Sequence, residues 1–293
     1  MKIRFLVMLL GLILISNANS QNNMERFGWY NPFENGSVDS PFLADLDFSG
    51  SIERGFGSER GLLHWGFAVG GMGTFYREGN FALAFGAWVG VYANPYNDIS
   101  FDPYGANWQE SLTGLYKTKY GIFGLGLNHR CRHEIDNYDP GEKDYPLQKR
   151  VTLSFGPELT YNTGRINILG FDFMSGLSYQ YVPISADYRE PDTTRVLDNS
   201  NLNGRISFLA DVSYPVYDFL KVGIRTYNQI SLGLPENNTL LGRAIIYIDL
   251  GSGTNRMRIY FGYESIYDDF SQPNPISNQA TILGIQLHPQ SVY

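Results

Sequence analysis

The chain has 293 residues and a formal net charge of −7, and 15% of its residues are aromatic while only 17% are charged. Soluble domains average about 25% charged residues, so the composition argues against an ordinary soluble protein. The basic residues form no stripe along the chain, which excludes nucleic acid as an expected partner. The single cysteine, Cys131, excludes a disulfide within the chain.

Residues 1–20 have the pattern of a cleaved secretory signal peptide. Two basic residues, Lys2 and Arg4, precede an apolar run over 5–15, and small residues stand before the expected cleavage site after Ser20. Farther along the chain, no stretch approaches the roughly 18 apolar residues of a membrane-spanning helix. We therefore predict export of a chain that does not cross a membrane as a helix.

Residues 21–41 alternate poorly between apolar and polar side chains and contain several Asn, Pro and Gly residues. This composition predicts an irregular N-terminal segment in the periplasm. Its aromatic residues Phe27, Trp29 and Tyr30 are candidates to enter the mouth of the domain that follows.

From residue 42 to 293, segments of about ten or more residues alternate apolar and polar side chains, which is typical of a membrane β-barrel. We count twelve such segments, at 42–54, 61–77, 80–93, 108–120, 122–134, 149–162, 165–182, 203–216, 219–233, 239–251, 255–267 and 278–288.

The connections between these segments alternate in length. Short ones are predicted at 78–80, near 121, at 162–164, 217–218 and 251–254, with mostly longer ones between them. Bacterial barrels have short periplasmic turns and longer outer loops. The fold predicted is therefore all-β: a single transmembrane antiparallel up-and-down β-barrel of about 12 strands in the cell outer membrane, with both termini periplasmic.

The alternation separates an apolar row from a polar row on each strand. A lumen enclosed by twelve strands is too wide for apolar side chains to fill, so we expect the apolar rows to face lipid. The polar rows then line the lumen with nearly balanced charges, which favours ion pairs across a narrow lumen over an anion-selective pore. The main expected lumen-lining residues are Lys117, Arg130, Arg132, Arg150, Glu158, Arg225, Arg256, Arg258 and Glu264.

Two of the predicted outer loops are acidic. Carboxylates of this kind bind hard divalent cations such as Ca²⁺ or Mg²⁺, which would bridge the loops to lipopolysaccharide; the alternative is that the loops are simply solvated. The expected partners are thus outer-membrane lipids and lipopolysaccharide, with divalent cations at these loops, and we expect no cofactor. The acidic residues are Asp136, Asp139, Glu142, Asp144, Asp187, Glu190, Asp192 and Asp198.

The stretch 128–136, Asn-His-Arg-Cys-Arg-His-Glu-Ile-Asp, concentrates reactive side chains on one strand. His129, Cys131 and His133 share a face because strand side chains repeat every two residues. Three interpretations stay open: a rim segment whose polar tips meet lipid head groups, a transition-metal site, and an acyl-transfer site. For the metal site no distal third ligand is identifiable, so no metal is expected.

The same stretch resembles a strand of a bacterial outer-membrane barrel family that has no settled function. There, His-Gln-Ser-Ser-His is followed by an acidic residue; His129, His133 and Asp136 match, while Cys131 and Arg132 replace the two serines. Leu43-Ala44-Asp45 and the Tyr-x-x-x-Tyr-Asp piece at 263–268 are shared as well. The resemblance implies a barrel over most of 43–288 and no particular activity.

A histidine two residues before a nucleophile also resembles the His-x-Ser strand of outer-membrane phospholipase A and the lipid A deacylases. That resemblance implies an acyl hydrolase with Cys131 as nucleophile, His129 as base and Asp136 or Glu134 as the group that orients the base. The Asn-Gly that follows the serine in those enzymes is absent here. The sequence therefore favours a non-catalytic barrel with a structural or small-solute channel role, with a lipid acyl hydrolase as the alternative.

Overall fold

The computed structural model describes residues 30–33, 40–57, 65–94, 102–134, 150–189, 202–233, 239–251, 255–267 and 277–289. Its strands are β1 (Phe42–Phe56), β2 (Trp65–Glu78), β3 (Phe81–Asn94), β4 (Asp102–Thr118), β5 (Gly121–Glu134), β6 (Arg150–Asn162), β7 (Ile166–Ile168), β8 (Phe171–Tyr181), β9 (Ile184–Arg189), β10 (Gly204–Tyr217), β11 (Leu220–Leu232), β12 (Thr239–Leu250), β13 (Asn255–Tyr267) and β14 (Ser277–Pro289).

These segments form one closed antiparallel barrel of twelve strands. β6 continues into β7 after a break at 163–165, and β8 continues into β9 after a break at 182–183. Successive strands pair around the wall, and β14 pairs with β1 to close it. The predicted all-β barrel of about twelve strands is confirmed. Within the described ranges, no helix is long and apolar enough to cross a membrane.

The two ends of the barrel differ. At one end the strands are joined by short turns, and we call it the short-turn end; the opposite end is the long-loop end. β1 begins at the short-turn end, where Phe42 lies opposite Tyr76, and β14 ends there, where Pro289 lies opposite Asn255. The short connections lie at 79–80, 119–120, 169–170, 218–219 and 251–254.

One predicted turn is wrong. The sequence places a reversal at 162–164, but the backbone N–H of Thr163 donates to the carbonyl oxygen of Ser175 at 2.9 Å, so strand pairing continues past this point. The glycine there adopts a left-handed conformation with φ of 65°, which interrupts the strand without reversing it. The chain reverses instead at Leu169 and Gly170, both of which have positive φ.

The wall has an apolar outside and a polar inside. Leu125 is 62% exposed and Phe261 is 51% exposed, whereas Gln229 and Arg258 are only 2% and 3% exposed. This is the reverse of a soluble protein, in which large apolar side chains are buried and charged ones are exposed. The expected outward orientation of the apolar rows is therefore confirmed, and the exterior suits hydrocarbon.

A short N-terminal stretch lies inside the barrel near the short-turn end. The hydroxyls of Tyr30 and Thr74 are 2.9 Å apart, and Arg77 Nη1 donates to the carbonyl oxygen of Pro32 at 2.7 Å. Phe33 is buried, with its ring 5.4 Å from the Arg77 guanidinium. Burial raises the pKa of Tyr30, so its hydroxyl stays protonated.

Tyr30 thus enters the barrel as expected. The other two aromatic candidates, Phe27 and Trp29, lie outside the described residues.

Candidate functional site

The lumen near the short-turn end contains a dense network of ion pairs. Arg258 binds both oxygens of Asp249, with Nε and Nη2 donating at 2.7 and 2.8 Å. Arg225 Nε donates to Asp211 at 2.7 Å, and the Tyr247 hydroxyl donates to the same carboxylate at 2.7 Å. Such charge-assisted hydrogen bonds are among the strongest in proteins. They hold these side chains in fixed positions within the lumen.

A second group lies nearer the long-loop end. Arg243 donates to Glu264 at 2.9 Å and to Glu53 at 3.0 Å, so one guanidinium serves two buried carboxylates. The Tyr260 hydroxyl also donates to Glu53, at 2.8 Å. Arg243 lies on β12 and Glu53 on β1, with β13 and β14 between them in the wall, so this contact spans part of the lumen.

Longer-range contacts bridge other parts of the lumen. Arg130 on β5 donates to Gln229 on β11 at 2.8 Å, although three strands of the wall separate them. Arg205 donates to Ser154 at 2.9 Å and to Gln180 at 3.1 Å. All these side chains are buried, so buried polar contacts cross parts of the lumen.

The structure places most of the predicted lumen residues inside the barrel. Arg130, Glu158, Arg225, Arg258 and Glu264 are buried, and Arg256 is half-buried. Two other predicted lumen residues, Arg132 and Arg150, lie on described strands, but their side chains are outside the described part of the structure.

Lys117 differs from the others. It is exposed near the short-turn mouth, where its ammonium lies 5.8 Å from the Phe33 ring.

A separate cluster lies on the outside of β4 and β5. His129 Nδ1 is 3.1 Å from Glu110 Oε2, and Trp108 Nε1 donates to the other oxygen of Glu110 at 2.7 Å. Cys131 Sγ is 2.7 Å from His133 Nε2. Cys131 is 9% exposed, so the neighbouring side chains cover most of its surface.

This geometry differs in two ways from the acyl-transfer arrangement expected from the sequence. The imidazole that contacts Cys131 belongs to His133, and His129 contacts Glu110 instead. Asp136, the expected orienting group, lies outside the described residues.

Glu110 was not identified from the sequence, although the register of the β4–β5 hairpin indicates its position. A two-residue turn at 119–120 places Glu110 directly opposite His129.

The side chains of the acidic residues expected to bind divalent cations lie outside the described part of the structure. These residues are Asp136, Asp139, Glu142, Asp144, Asp187, Glu190, Asp192 and Asp198. Among the side chains that are described, no group of three or more His, Cys, Asp or Glu residues could hold a metal ion.

No protein-family model matches the chain, and no curated protein sequence matches it. Several solved structures are similar. The outer membrane phospholipase (OMPLA) dimer with bound calcium from Salmonella typhi has 13% identity, a TM-score of 0.48, and coverage of 89% of this chain and 96% of that one. LpxR from Salmonella typhimurium has 10% identity, a TM-score of 0.43, and coverage of 83% and 99%. The NanC porin has 9% identity, a TM-score of 0.43, and coverage of 82% and 98%.

These similarities are too distant to bear on activity. The class of the protein follows from its own geometry: a closed antiparallel barrel with an apolar exterior and a lumen of buried ion pairs. Closed barrels and helices are the structures that satisfy every backbone hydrogen bond in hydrocarbon. The chain therefore has the fold of an outer-membrane β-barrel.

Proposed function

We propose that this chain is a non-catalytic protein of the Gram-negative outer membrane whose barrel has no open pore, and whose role is structural. The observation that supports this function best is the set of buried side chains that reach across the lumen. Arg130 reaches across to Gln229, Arg205 reaches Ser154, and Tyr30 and Phe33 are buried near the short-turn end. A freely conducting pore needs a continuous water-filled path, and buried side chains that cross the lumen favour a closed barrel.

The proposed function also assigns roles to segments of the chain that lie outside the described residues. Residues 1–20 act as the export signal, both termini lie in the periplasm, and the long loops face outward. Residues 21–41 form the periplasmic lead-in, of which residues 30–33 enter the barrel, and residues 42–293 form the barrel. The exterior would contact membrane lipids and lipopolysaccharide, with divalent cations bridging the acidic loops to lipid phosphates.

Conductance across a planar lipid bilayer tests the closed lumen. We expect the refolded wild-type protein to be electrically silent. A double variant, Arg130→Ala with Arg205→Ala, removes two buried side chains that reach across the lumen and should show measurable openings. That variant also controls for insertion, because openings demonstrate that the barrel spans the bilayer. Steady conductance from the wild-type protein would contradict the closed-lumen role.

A second candidate function is lipid acyl hydrolysis on the outer wall. The observation in its favour is the 2.7 Å separation between Cys131 Sγ and His133 Nε2, which is the contact that a thiol nucleophile and its base require. The limited exposure of the sulfur favours the non-catalytic function, because a reactive cysteine needs access to its substrate.

The reaction of this second candidate function needs only the side chains of Cys131 and His133 together with water. His133 takes the proton of the Cys131 thiol, and the thiolate attacks the ester carbonyl carbon of a lipid. The ester C–O bond breaks, and the leaving alkoxide takes the proton from His133. Water then hydrolyses the thioester, which releases the fatty acid and restores the thiol.

Fatty-acid release from phospholipid or lipid A tests this second candidate. The proteins to compare are the wild type, Cys131→Ala, His133→Ala and His129→Ala. If the wall is catalytic, the first two variants should lose release entirely, whereas His129→Ala should keep part of it because His129 contacts Glu110. Equal release from all four proteins, or release from none, removes the candidate.

A further inference from the structure

A small cavity lies inside the barrel near the short-turn end. Its volume is about 20 Å³, which is room for one water-sized occupant. The side chains around it come from five consecutive strands, β10 to β14, and from the break between β6 and β7. They are Arg165, Asp211, Ser213, Lys221, Arg225, Tyr247, Asp249, Arg256, Arg258 and His288.

The charges around this cavity do not balance. Five permanently cationic side chains line it, against two carboxylates. Both carboxylates are already engaged: Asp211 accepts hydrogen bonds from Arg225, and Asp249 accepts from Arg258 through both of its oxygens. Asp172, just outside the lining, binds Lys221 at 2.9 Å. Among the described side chains at the cavity, the cationic groups therefore outnumber the carboxylates even with Asp172 included.

Arg256 supplies the group that a ligand would bind. Its Nε and Nη1 atoms are buried and have no hydrogen-bond acceptor among the residues that the structure describes. Buried N–H groups nearly always have an acceptor, so these two atoms of the half-buried Arg256 side chain are an exception. Arg256 lies opposite His288, whose Nε2 is 3.5 Å from Asp249 Oδ1, so the next strand places no carboxylate directly opposite Arg256.

We propose that this cavity is a binding site for one small monovalent anion of the size of chloride, held mainly by Arg256. A halide accepts several N–H donors at once and offsets the excess positive charge. A single-atom anion suits a cavity of this volume better than a tetrahedral oxyanion with four oxygens does. The site is separate from the outer-wall cluster and does not depend on either proposed function.

Chloride NMR on the refolded protein in neutral detergent tests the site, because exchange with a protein site broadens the quadrupolar chloride line. With gluconate as the only other anion, we expect saturable broadening for the wild type. Arg256→Gln should weaken chloride binding about tenfold or more, as expected for loss of a charge-assisted donor. Lys119→Gln is the matched control: it removes the same charge from an exposed position at the same end and should bind chloride like the wild type.

A second measurement uses only the wild type, so it does not depend on how a variant folds. Crystals grown with bromide as the halide should show an anomalous scattering peak in contact with the Arg256 guanidinium. The proposal would be overturned by unsaturable broadening in the wild type, by the same broadening in Arg256→Gln, or by no bromide at this position. Each result would mean that water, and not a halide, occupies the cavity.

Discussion

Arg243 offsets the negative charge of two buried carboxylates in the lumen. Its guanidinium contacts Glu264 at 2.9 Å and Glu53 at 3.0 Å, and all three side chains are buried. Taking charges out of water is costly, and their mutual attraction together with well-formed hydrogen bonds offsets that cost. If the arginine is removed, two like-charged carboxylates remain in a region of low dielectric constant.

We predict that Arg243→Met lowers the free energy of unfolding by about 3–5 kcal/mol, the usual result of removing one partner of a buried ion pair. Urea unfolding of the refolded barrel in lipid vesicles measures this value. Arg54→Met is the control with the same chemical change. Arg54 is half-buried and lies 5.0 Å from the Trp65 ring, so this substitution should lower the free energy of unfolding by about 1 kcal/mol or less. Equal losses for the two variants would contradict the prediction.

At the level of strands, two-residue alternation predicted which residues face lipid and which face the lumen, and four of the five predicted short turns agree with the structure. β5 and β11 follow the expected apolar and polar rows because the lumen and the lipid impose opposite requirements on successive residues. The Asn-Thr-Gly sequence at 162–164 predicted a turn because those residues favour one. The observed turn uses Leu169, a residue type that rarely adopts positive φ, so turn propensities do not predict a reversal there.

Aromatic rings packed over glycines connect neighbouring strands. In three cross-strand pairs, an inward-facing aromatic ring lies over a glycine on the adjacent strand, an arrangement that covers the exposed backbone. The pairs are Gly70 with Trp88, Gly223 with Tyr247, and Gly284 with Tyr260.

These pairs lead to a prediction at Gly284. A methyl group added there would overlap the Tyr260 ring, so Gly284→Ala should lower the free energy of unfolding by about 1–3 kcal/mol, as overpacking usually does. The control is Gly50→Ala, where the nearest atom to an added Cβ is Ala68 O at an ordinary 3.6 Å. Unfolding of both variants in urea tests the comparison, and a control that loses as much stability as Gly284→Ala would count against the ring contact.

For the molecule as a whole, the sequence predicted the barrel but not the contacts within the lumen. Alternation tells which face a residue occupies, which is why Arg225 and Glu264 were expected inside. It carries no information on pairs between distant strands, such as Arg130 with Gln229, because those depend on the curvature of the closed wall. The Cys131–His133 contact on the outer wall was not predicted for another reason. In the enzymes that this strand resembles, the base is the histidine two residues before the nucleophile, which is His129 here.

Because the apolar side chains of the wall face outward, the cost of a charge on the exterior should depend on its depth in the bilayer. Leu283 lies at the centre of β14, and Leu287 lies two residues from its end at the short-turn mouth; both face outward and are 47% and 61% exposed. In a bilayer, arginine costs about 2–4 kcal/mol at the midplane and about 0–1 kcal/mol near the interface. Leu283→Arg should therefore lower the free energy of unfolding in lipid vesicles far more than Leu287→Arg. If the exterior faced water, both substitutions would have small and similar effects, and that result would show that hydrocarbon does not surround the barrel.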